Sequence, residues 1–433
     1  MKKILLCLIA FFLFININAL ELNSKYVYVY NDTLDKAMYE VNSHDEIKVA
    51  SMTKIMTAIL VIENNSDLDK IVTIEDIDLR DMYEYTTTGF QAGQEVTIKE
   101  LLYGILLRSG ADAVNAAVRV TTSTEEEFIS LMNQKVKELN LKNTYFSNAV
   151  GKDKDNYSSV YDIAKIMEYC LKNETFKEII STPMYYIDRL NIQINGPLYK
   201  QDEKYNLDLS LINGGKSGYT TLAKYSLVSY GEKDGVTYIV VTDCADNFKQ
   251  LLIDNVKIYE HFFNNYGYKN YKTSFDIPIE NGKEEKYKID INTNLYLNND
   301  YDESLITYEY KGKDKITYLN KKGSKLGVVS IYYDNELISS VDVKLNKNIT
   351  YETKAYTLPI FFIIIVIVIF ILLILFIIKK QLKRKKKINK SKVKYNKVKV
   401  VKKKVKQENK ENIRNKLNEL SETINITNLY NEN

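Results

Sequence analysis

Histidine, cysteine and tryptophan are scarce in this 433-residue chain, which has two, three and none of them. His44 and His261 lie far apart in the sequence, so they cannot readily form the clustered site of a zinc peptidase. Neither histidine lies near a nucleophile elbow, which argues against a Ser-His-Asp hydrolase. There is no CxxC pair, and Cys170 and Cys244 could either pair or remain free thiols. The sequence therefore predicts no metal site and no cofactor.

Two long apolar runs lie near the ends of the chain. Residues 1–19 combine two lysines, an apolar run and a small final residue, the pattern of a secretory signal peptide; an uncleaved anchor is the alternative. Residues 358–378 are almost wholly apolar, which is long enough for a helix to span a bilayer. In the tail, residues 379–433, the first part up to Lys406 contains 16 Lys or Arg residues and no acidic residue. This excess predicts a cytoplasmic tail, with everything before residue 358 outside the cell membrane.

The net charge of +4 hides an uneven distribution of charge. Residues 20–378 carry 39 basic and 51 acidic side chains, a net charge of −12. The overall pI therefore does not indicate a nucleic-acid partner, and we expect none. The basic tail is suited to anionic lipid headgroups on the inner membrane face, although a merely solvated tail would have the same composition.

The hydrophobic pattern of residues 20–268 alternates between strand and helix periods. Alternating residues 25–30 and 37–41 predict a hairpin, and residues 226–230 and 236–242 predict two strands around a polar turn. Apolar residues at helical spacing predict helices at 50–62, 97–107, 111–118, 125–139, 159–170 and 253–263. Helices and antiparallel strands in this mixed order predict an α+β domain over 20–268. Short alternating runs in 270–352 predict a small all-β domain between this domain and the membrane.

The first motif that can carry chemistry is Ser51-Met-Thr-Lys54, at the start of an apolar helix. A serine hydroxyl is a weak nucleophile until a base takes its proton. Residues three apart on a helix share one face, so the lysine amine can reach the hydroxyl. The backbone N–H groups at the helix start can stabilise the oxyanion of acyl transfer. The spacing alone is weak evidence, because Ser51 could also be an ordinary helix N-cap.

Two further motifs follow in the chain. Ser109-Gly-Ala-Asp112 interrupts two helical segments, where Ser109 could relay protons or cap the next helix with Asp112 as the reciprocal member. Gly214-Gly-Lys216-Ser-Gly218 precedes the predicted strand pair. Lys216 and Ser217 could hold a substrate carboxylate, and Gly218 would let an extended substrate lie along a strand edge; a glycine-rich turn with a solvated lysine is the alternative.

The three motifs in this order resemble the motif set of penicillin-binding proteins and serine β-lactamases. The flanking sequence is similar to one family among them, the D-alanyl-D-alanine carboxypeptidases of the low-molecular-mass penicillin-binding proteins. The resemblance covers about residues 25–266. The similar segments are Val49-Ala-Ser-Met-Thr-Lys-Ile-Met-Thr-Ala58, Leu101-Leu-Tyr-Gly-Ile-Leu-Leu-Arg-Ser-Gly110, Leu131-Met-Asn, Leu141-Lys-Asn-Thr-Tyr-Phe-Ser-Asn148, Tyr161-Asp-Ile-Ala164 and Gly214-Gly-Lys-Ser-Gly-Tyr-Thr220.

The resemblance implies an antiparallel sheet packed with helices and a penicillin-sensitive peptidase acting on peptidoglycan stem peptides that end in D-Ala-D-Ala. It implies that Ser51 attacks the penultimate D-Ala carbonyl, that Lys54 takes the proton and that Ser109 passes it to the leaving amine. Lys216 and Ser217 would bind the terminal carboxylate beside Gly218. The backbone N–H groups of Ser51 and Tyr219 would form the oxyanion hole. β-Lactam antibiotics would acylate the same serine.

One departure from the family pattern bears on activity. The second motif of the family usually ends in Asn, whereas this chain has Ala111, so an amide near the substrate and Lys54 is missing. Asn115, one helical turn later, is a possible substitute. A catalytically weak or inactive wall-binding protein of the same fold therefore remains an alternative, as does a transpeptidase. A β-lactamase fits less well, because no Glu-x-x-x-Asn segment lies between the second and third motifs.

Overall fold

A computed structural model describes residues 20–80, 82–83, 85–151, 155–221, 223–350 and 357–404. The predicted signal peptide, residues 1–19, lies outside the described residues. The described chain divides into two compact units. The first contains the residues up to Lys272 together with Asn292–Tyr308 and Ile331–Ser339; the second contains Thr273–Ile291, Glu309–Ser330 and the residues from Ser340 onward.

The first unit is built on a five-stranded antiparallel sheet. Its strands are β1 (Tyr26–Asn31), β2 (Lys36–Val41), β7 (Gly214–Thr220), β8 (Lys224–Lys233) and β9 (Val236–Ala245). They lie in the order β2-β1-β9-β8-β7, which places β7 at an edge. The predicted hairpin and strand pair are both present, since β1 pairs with β2 and β8 pairs with β9. Two small hairpins add β3 (Ile71–Thr73) with β4 (Glu95–Thr97), and β5 (Met184–Ile187) with β6 (Ile192–Asn195).

Helices cover both faces of this sheet. They are α1 (Lys54–Asn64), α2 (Ile98–Tyr103), α3 (Ala111–Thr121), α4 (Glu125–Glu138), α5 (Val160–Leu171), α6 (Glu174–Ser181), α7 (Gln201–Tyr205) and α8 (Phe248–Asn265). The side chains of α1 are buried from Lys54 to Val61, because this helix is apolar on nearly all sides. Burying each large aliphatic side chain of this kind contributes about 1.5–3 kcal/mol. The resulting core fixes α1 in the interior, and α1 carries Lys54.

Capping residues set the starts of several helices. Thr97 and Glu100 form the predicted capping box at α2, with hydrogen bonds of 3.1 and 2.8 Å between each side chain and the other residue's backbone N–H. Ser159 caps α5 by accepting a hydrogen bond from the Asp162 N–H, as its sequence pattern indicates. The sequence-based assignment did not include the strands β3 to β6 or the helices α6 and α7. Strand β7 replaces the glycine-rich turn considered as an alternative for residues 214–218.

A β region and a long helix follow α8. The strands are β10 (Tyr266–Glu280), β11 (Lys286–Asn298), β12 (Ile306–Gly312), β13 (Ile316–Thr317), β14 (Lys325–Tyr333) and β15 (Glu336–Lys344). They form two three-stranded sheets, with the orders β11-β10-β13 and β12-β14-β15. The helix α9 (Thr357–Lys404) contains the segment Ile360–Lys385, which has a mean hydropathy of 4.0 and is long enough to cross a membrane. The predicted fold class is confirmed: an α+β part, then a β region, then one apolar C-terminal helix.

Candidate active site

Ser51 lies in a tight turn that leads into α1. Ala50–Thr53 forms one turn of 3-10 helix, and the α-helix begins only at Lys54. Ala50 has φ 45°, a left-handed conformation that costs a residue with a Cβ about 1 kcal/mol or more. The turn positions the Ser51 side chain at the N-terminal end of the helix, where backbone N–H groups are not used within the helix. This environment favours a negative charge that develops beside Ser51.

The Lys54 side chain is buried beneath Ser51. Its Nζ lies 3.3 Å from the Ser51 Oγ and donates a 2.6 Å hydrogen bond to the backbone carbonyl of Val150. Burial and the nearby Lys216 lower the pKa of Lys54 well below its usual range, and Asp112 acts in the opposite direction. An amine with a lowered pKa is neutral for a larger part of the physiological pH range, so it can accept the Ser51 proton.

Ser109 reaches the same pocket from the junction of two helices. After α2 the chain makes a π-helical turn, Gly104–Arg108, and Ser109 then adopts a left-handed conformation with φ 65°. Ser109 ends the π-helical turn, where its backbone N–H donates to the Gly104 carbonyl, and the residue at the N-cap position of α3 is Gly110. Its Oγ is buried and has no hydrogen-bond partner among the described residues. A buried hydroxyl without a partner is uncommon in a stable protein and is available to a bound molecule.

Asp112 holds the loop that covers this junction. Its carboxylate accepts hydrogen bonds of 2.7, 3.0 and 3.1 Å from the backbone N–H groups of Thr88, Gly89 and Phe90. A Cβ on Gly110 would lie 2.0 Å from the Thr88 Oγ1, so the loop packs directly against the second motif. The alternative in which Asp112 and Ser109 form a reciprocal cap is therefore wrong.

Ala111 and Asn115 do not supply an amide to the catalytic residues. Ala111 is buried at the first turn of α3. The Asn115 Nδ2 donates a 3.1 Å hydrogen bond to the carbonyl of Asp78. Asn115 lines a neighbouring cavity of about 670 Å³, whose lining does not include Ser51 or Lys54. The structure thus contradicts the substitution of Asn115 for the missing amide.

Lys216 and its neighbours lie on the edge strand β7. The Lys216 side chain is buried, and its Nζ donates a 2.9 Å hydrogen bond to the carbonyl of Ser217. No carboxylate of the described residues pairs with it in a salt bridge. Burial lowers the pKa of Lys216 to about 7. A buried amine without a protein counter-ion is suited to an incoming carboxylate, which would provide the missing negative charge.

Gly218 lets strand β7 approach Ser51 closely. A Cβ on Gly218 would lie 2.6 Å from the Ser226 Oγ and 3.3 Å from the Ser51 backbone N. Tyr219, the next residue, is largely exposed and its ring lies 4.5 Å from that of Tyr225. The backbone of β7 and the N–H of Ser51 are therefore neighbours, as the predicted oxyanion hole requires.

These elements enclose a pocket of about 490 Å³ at the edge of the sheet. Four of the seven predicted site residues line this pocket. The other three are Lys216, Ser217 and Gly218, which belong to strand β7 at its border. The lining residues are Ser51, Lys54, Tyr85, Thr86, Ser109, Val150, Gly151, Tyr219, Thr220 and Thr221. A hydroxyl beside an amine with a lowered pKa, with backbone N–H donors and a second buried lysine nearby, can form and release an acyl ester.

Sequence reasoning did not identify the contribution of residues 148–151. Val150 contacts Lys54 through its backbone carbonyl, and a backbone atom gives no signal in the side-chain pattern. Two clues are available: the family-like segment that ends at Asn148, and the glycine at 151, which has φ +87° and no room for a Cβ. The two histidines lie elsewhere: the His44 ring is 4.5 Å from that of Tyr161, and the His261 Nδ1 is 3.2 Å from the Asn265 Nδ2.

Comparison with known proteins identifies the family of the chain. The sequence pattern of the D-alanyl-D-alanine carboxypeptidase family matches residues 15–247. The chain is 30% identical over 327 residues to the D-alanyl-D-alanine carboxypeptidase DacF of Bacillus subtilis, covering 72% of this chain and 82% of that protein. It is also 30% identical over 253 residues to a D-alanyl-D-alanine carboxypeptidase of Streptomyces strain K15, covering 54% and 86% of the two chains.

Solved structures share the fold. Penicillin binding protein 5 from Haemophilus influenzae superposes with a TM-score of 0.61 at 19% identity, over 76% of this chain and 98% of that one. The DD-transpeptidase of Streptomyces strain K15 superposes with a TM-score of 0.52 at 27% identity, over 56% and 98%. The family pattern, which spans more than half of the sequence, and the 30% identity to DacF assign the chain to the D-alanyl-D-alanine carboxypeptidase family.

Proposed function

We propose that this chain removes the terminal D-Ala from peptidoglycan stem peptides through an acyl-enzyme on Ser51. The observation that carries the proposal is the 3.3 Å separation between the Ser51 Oγ and the Lys54 Nζ. Lys54 is buried, and its lowered pKa makes the neutral amine available as a base. The relatives named D-alanyl-D-alanine carboxypeptidases support the choice of substrate.

In the acylation step, Lys54 takes the hydroxyl proton as the Ser51 Oγ bonds to the penultimate D-Ala carbonyl carbon. The N–H groups of Ser51 and Tyr219 stabilise the oxyanion. The carbon–nitrogen bond then breaks, and the proton passes from Lys54 through Ser109 to the leaving D-Ala amine. Ser109 can take this role because it lines the pocket and its Oγ has no hydrogen-bond partner within the part of the chain that the structure describes.

In the deacylation step, Lys54 takes a proton from water while the water oxygen attacks the ester carbon. The bond to the Ser51 Oγ breaks, the proton returns from Lys54 to Oγ, and the shortened peptide leaves as a carboxylic acid that gives its remaining proton to solvent. A β-lactam would follow the same first step. Its leaving nitrogen stays tethered to the acyl group after the ring opens, which hinders the entry of water.

Substrate binding would use the edge strand β7. An extended peptide can pair with the free edge, while Lys216 and Ser217 hold its terminal carboxylate. Gly218 keeps the strand close enough to Ser51 for the penultimate carbonyl to lie between them. Binding and chemistry thus use adjacent residues of one strand and one helix.

The direct test of this function is D-Ala release from a pentapeptide ending in D-Ala-D-Ala. The wild-type chain should release one D-Ala per peptide, and Ser51→Ala should release none. A matched peptide ending in L-Ala-L-Ala is the substrate control. Labelling by a penicillin without any D-Ala release would instead support a wall-binding protein without turnover.

A transpeptidase is the second candidate, because relatives from Streptomyces strain K15 are named both as a carboxypeptidase and as a DD-transpeptidase. Both reactions share the acyl-enzyme, and they differ only in whether water or an amine attacks it. Adding glycine as an amine acceptor separates them, because its product differs from the starting peptide. A transpeptidase would convert most acyl-enzyme into the new peptide, whereas a carboxypeptidase would give mainly the hydrolysed product.

For the layout of the chain, we propose a signal peptide at 1–19, a peptidase domain at 20–268, a β domain at 270–352, a membrane span at 358–378 and a cytoplasmic tail at 379–433. The mean hydropathy of 4.0 in Ile360–Lys385 and the basic residues after it support this arrangement. Protease added outside intact cells should remove the peptidase domain and spare an epitope at residue 433. Digestion of that epitope would contradict the orientation.

A further inference from the structure

The lysine base needs a fixed hydrogen-bond acceptor to keep its amine directed at Ser51. The family resemblance assigns part of this task to an amide at position 111, where this chain has alanine. In the structure the shortest contact of the Lys54 Nζ is the 2.6 Å hydrogen bond to the Val150 carbonyl. This bond is shorter than the 3.3 Å contact with the Ser51 Oγ. The orientation of the base therefore depends on the backbone at residue 150.

The Asn148 side chain holds that backbone in a tight turn. Its Oδ1 accepts hydrogen bonds from the N–H groups of Val150 at 3.1 Å and Gly151 at 2.7 Å. An asparagine that bonds to the backbone two and three residues ahead closes a turn in this way. Gly151 has φ +87°, and a Cβ there would lie 2.0 Å from the Ala50 carbonyl oxygen. The turn thus rests directly on the residue that precedes Ser51.

The rest of the turn is fastened to the helix that carries Lys54. Asn156 is fully buried, and its Nδ2 donates to the Asn148 carbonyl at 3.1 Å and to the Thr53 Oγ1 at 3.3 Å. The Thr57 Oγ1 donates a 2.7 Å hydrogen bond to the carbonyl of Ala149. Of these residues, Asn148 is the one whose side chain accepts hydrogen bonds from the N–H groups of both Val150 and Gly151, on either side of the Val150 carbonyl.

We propose that Asn148 is a positioning residue that fixes the Val150 carbonyl as the acceptor for Lys54 and so replaces the amide missing at position 111. The inference rests on the proposed function, because it assigns a role to Asn148 only if Lys54 is the base. Asn148 acts through the backbone and is distinct from Ser51, Lys54 and Ser109, which touch the substrate.

Loss of this acceptor has a specific effect on the protonation of Lys54. A carbonyl that accepts from an ammonium group stabilises the charged form more than the neutral one. The charged groups that act on Lys54 are Lys216 from β7 and Asp112 from α3, and neither changes when Asn148 is substituted. Displacing the carbonyl should therefore lower the pKa of Lys54 and also misalign the amine with Ser51.

The experiment uses the full chain in detergent and measures its acylation by a fluorescent penicillin between pH 5 and 9. Rates are divided by the fraction of molecules that can be labelled, so unfolded protein does not count. Asn148→Ala should lower the second-order rate constant at least about tenfold, as expected when a catalytic group is misplaced. The midpoint of the acidic limb should move to lower pH, because the pKa of Lys54 falls.

Asn148→Asp tests the same residue in the opposite direction. Its carboxylate keeps both acceptor bonds to the turn, so the plateau rate should stay close to that of the wild type. The added negative charge favours the protonated form of Lys54 and should move the acidic midpoint to higher pH.

Asn133→Ala is the matched control. Asn133 bonds to the N–H and carbonyl of Phe146 in the same connecting segment but makes no bond to the turn at 148–151. It should lower thermal stability without moving the pH midpoint or the rate per active molecule.

An Asn148→Ala chain with the wild-type rate and midpoint would overturn the proposal. So would a slower variant whose midpoint does not move, because Asn148 would then have only a structural role. If Asn148→Ala does not fold, an unshifted midpoint in Asn148→Asp would overturn the proposal equally. Absence of any labelling of the wild-type chain would instead refute the proposed function itself.

Discussion

Binding of a peptide carboxylate at Lys216 should be coupled to the uptake of a proton. Burial lowers the pKa of this amine to about 7, and the nearest acceptor is the neutral carbonyl of Ser217. The free protein therefore holds a mixture of neutral and charged lysine near neutral pH. A carboxylate binds the charged form, so its arrival should draw a proton onto the remaining neutral molecules.

The magnitude follows from the pKa. The neutral fraction of Lys216, which equals the number of protons taken up, is about 0.1 at pH 6, about 0.5 at pH 7 and about 0.9 at pH 8. Above pH 7 the affinity for the carboxylate should fall about tenfold for each pH unit, whereas below pH 6 it should be constant. The affinity falls as the pH rises because Lys216 is a basic group and binds the carboxylate most strongly when it is protonated.

Isothermal titration calorimetry of a pentapeptide into the Ser51→Ala chain measures this uptake without turnover. Repeating each titration in two buffers with different ionisation enthalpies gives the number of protons. The same peptide with a C-terminal amide is the ligand control and should take up none. The Lys216→Arg chain is the protein control, because a guanidinium stays charged over this range. Proton uptake of zero at pH 6, 7 and 8 for the carboxylate peptide would refute the assignment of Lys216.

Three substitutions probe the site and the residues that support it. Ser109→Ala should lower the rate of acylation at least tenfold. The melting temperature should stay unchanged, because the Ser109 hydroxyl has no hydrogen-bond partner among the described residues. A loss of about 1 kcal/mol in the free energy of unfolding would indicate a capping role instead. Gly151→Ala should lower the free energy of unfolding in urea by more than about 3 kcal/mol and abolish labelling by penicillin. The control is Gly235→Ala, where φ is similar but the space around a Cβ is open. It should lower the free energy of unfolding by only about 1 kcal/mol and leave the chain active. Arg119→Met should lower the free energy of unfolding in urea by about 3 kcal/mol, because the buried Asp78 carboxylate loses its 2.8 Å hydrogen bonds from the guanidinium group. A decrease of less than about 0.5 kcal/mol would show that this ion pair is dispensable.

The elements that carry the first motif could be predicted because local and tertiary preferences agree. An apolar run with helical spacing predicts α1, and its apolar residues on nearly all sides also explain why Lys54 is buried. The sequence does not show that Ser51 lies in a 3-10 turn after a left-handed Ala50. That conformation is strained for alanine, and it is maintained by contacts with β7 and with Gly151 from distant parts of the chain.

Strand β7 was the hardest element to predict near the site. Its three glycines have low strand propensity, so local preference favours a turn. In the structure these glycines are required by close approach: a Cβ on Gly214 would meet the Ile180 carbonyl at 2.5 Å, and one on Gly215 would meet the Val228 carbonyl at 2.7 Å. Tertiary packing thus decides the conformation where propensity is against it.

The contact that keeps Lys54 oriented could not be predicted from residue types. The acceptor is a backbone carbonyl, and its residue, Val150, has an apolar side chain without chemical function. This acceptor also changes what Ala111 implies. Although the amide at position 111 is missing, Lys54 still makes a short hydrogen bond to the Val150 carbonyl. The alanine at position 111 therefore does not by itself imply an inactive protein.

The role of Ser51 is tested most directly by covalent labelling of the full chain with a fluorescent penicillin, followed by mass spectrometry of the labelled peptide. We expect one acyl group per chain, on Ser51. Labelling should be lost in Ser51→Ala and retained in Ser391→Ala, which alters the second Ser-x-x-Lys segment of the sequence. A wild-type chain that is folded but unlabelled, or a Ser51→Ala chain that is still labelled, would contradict the central role of Ser51.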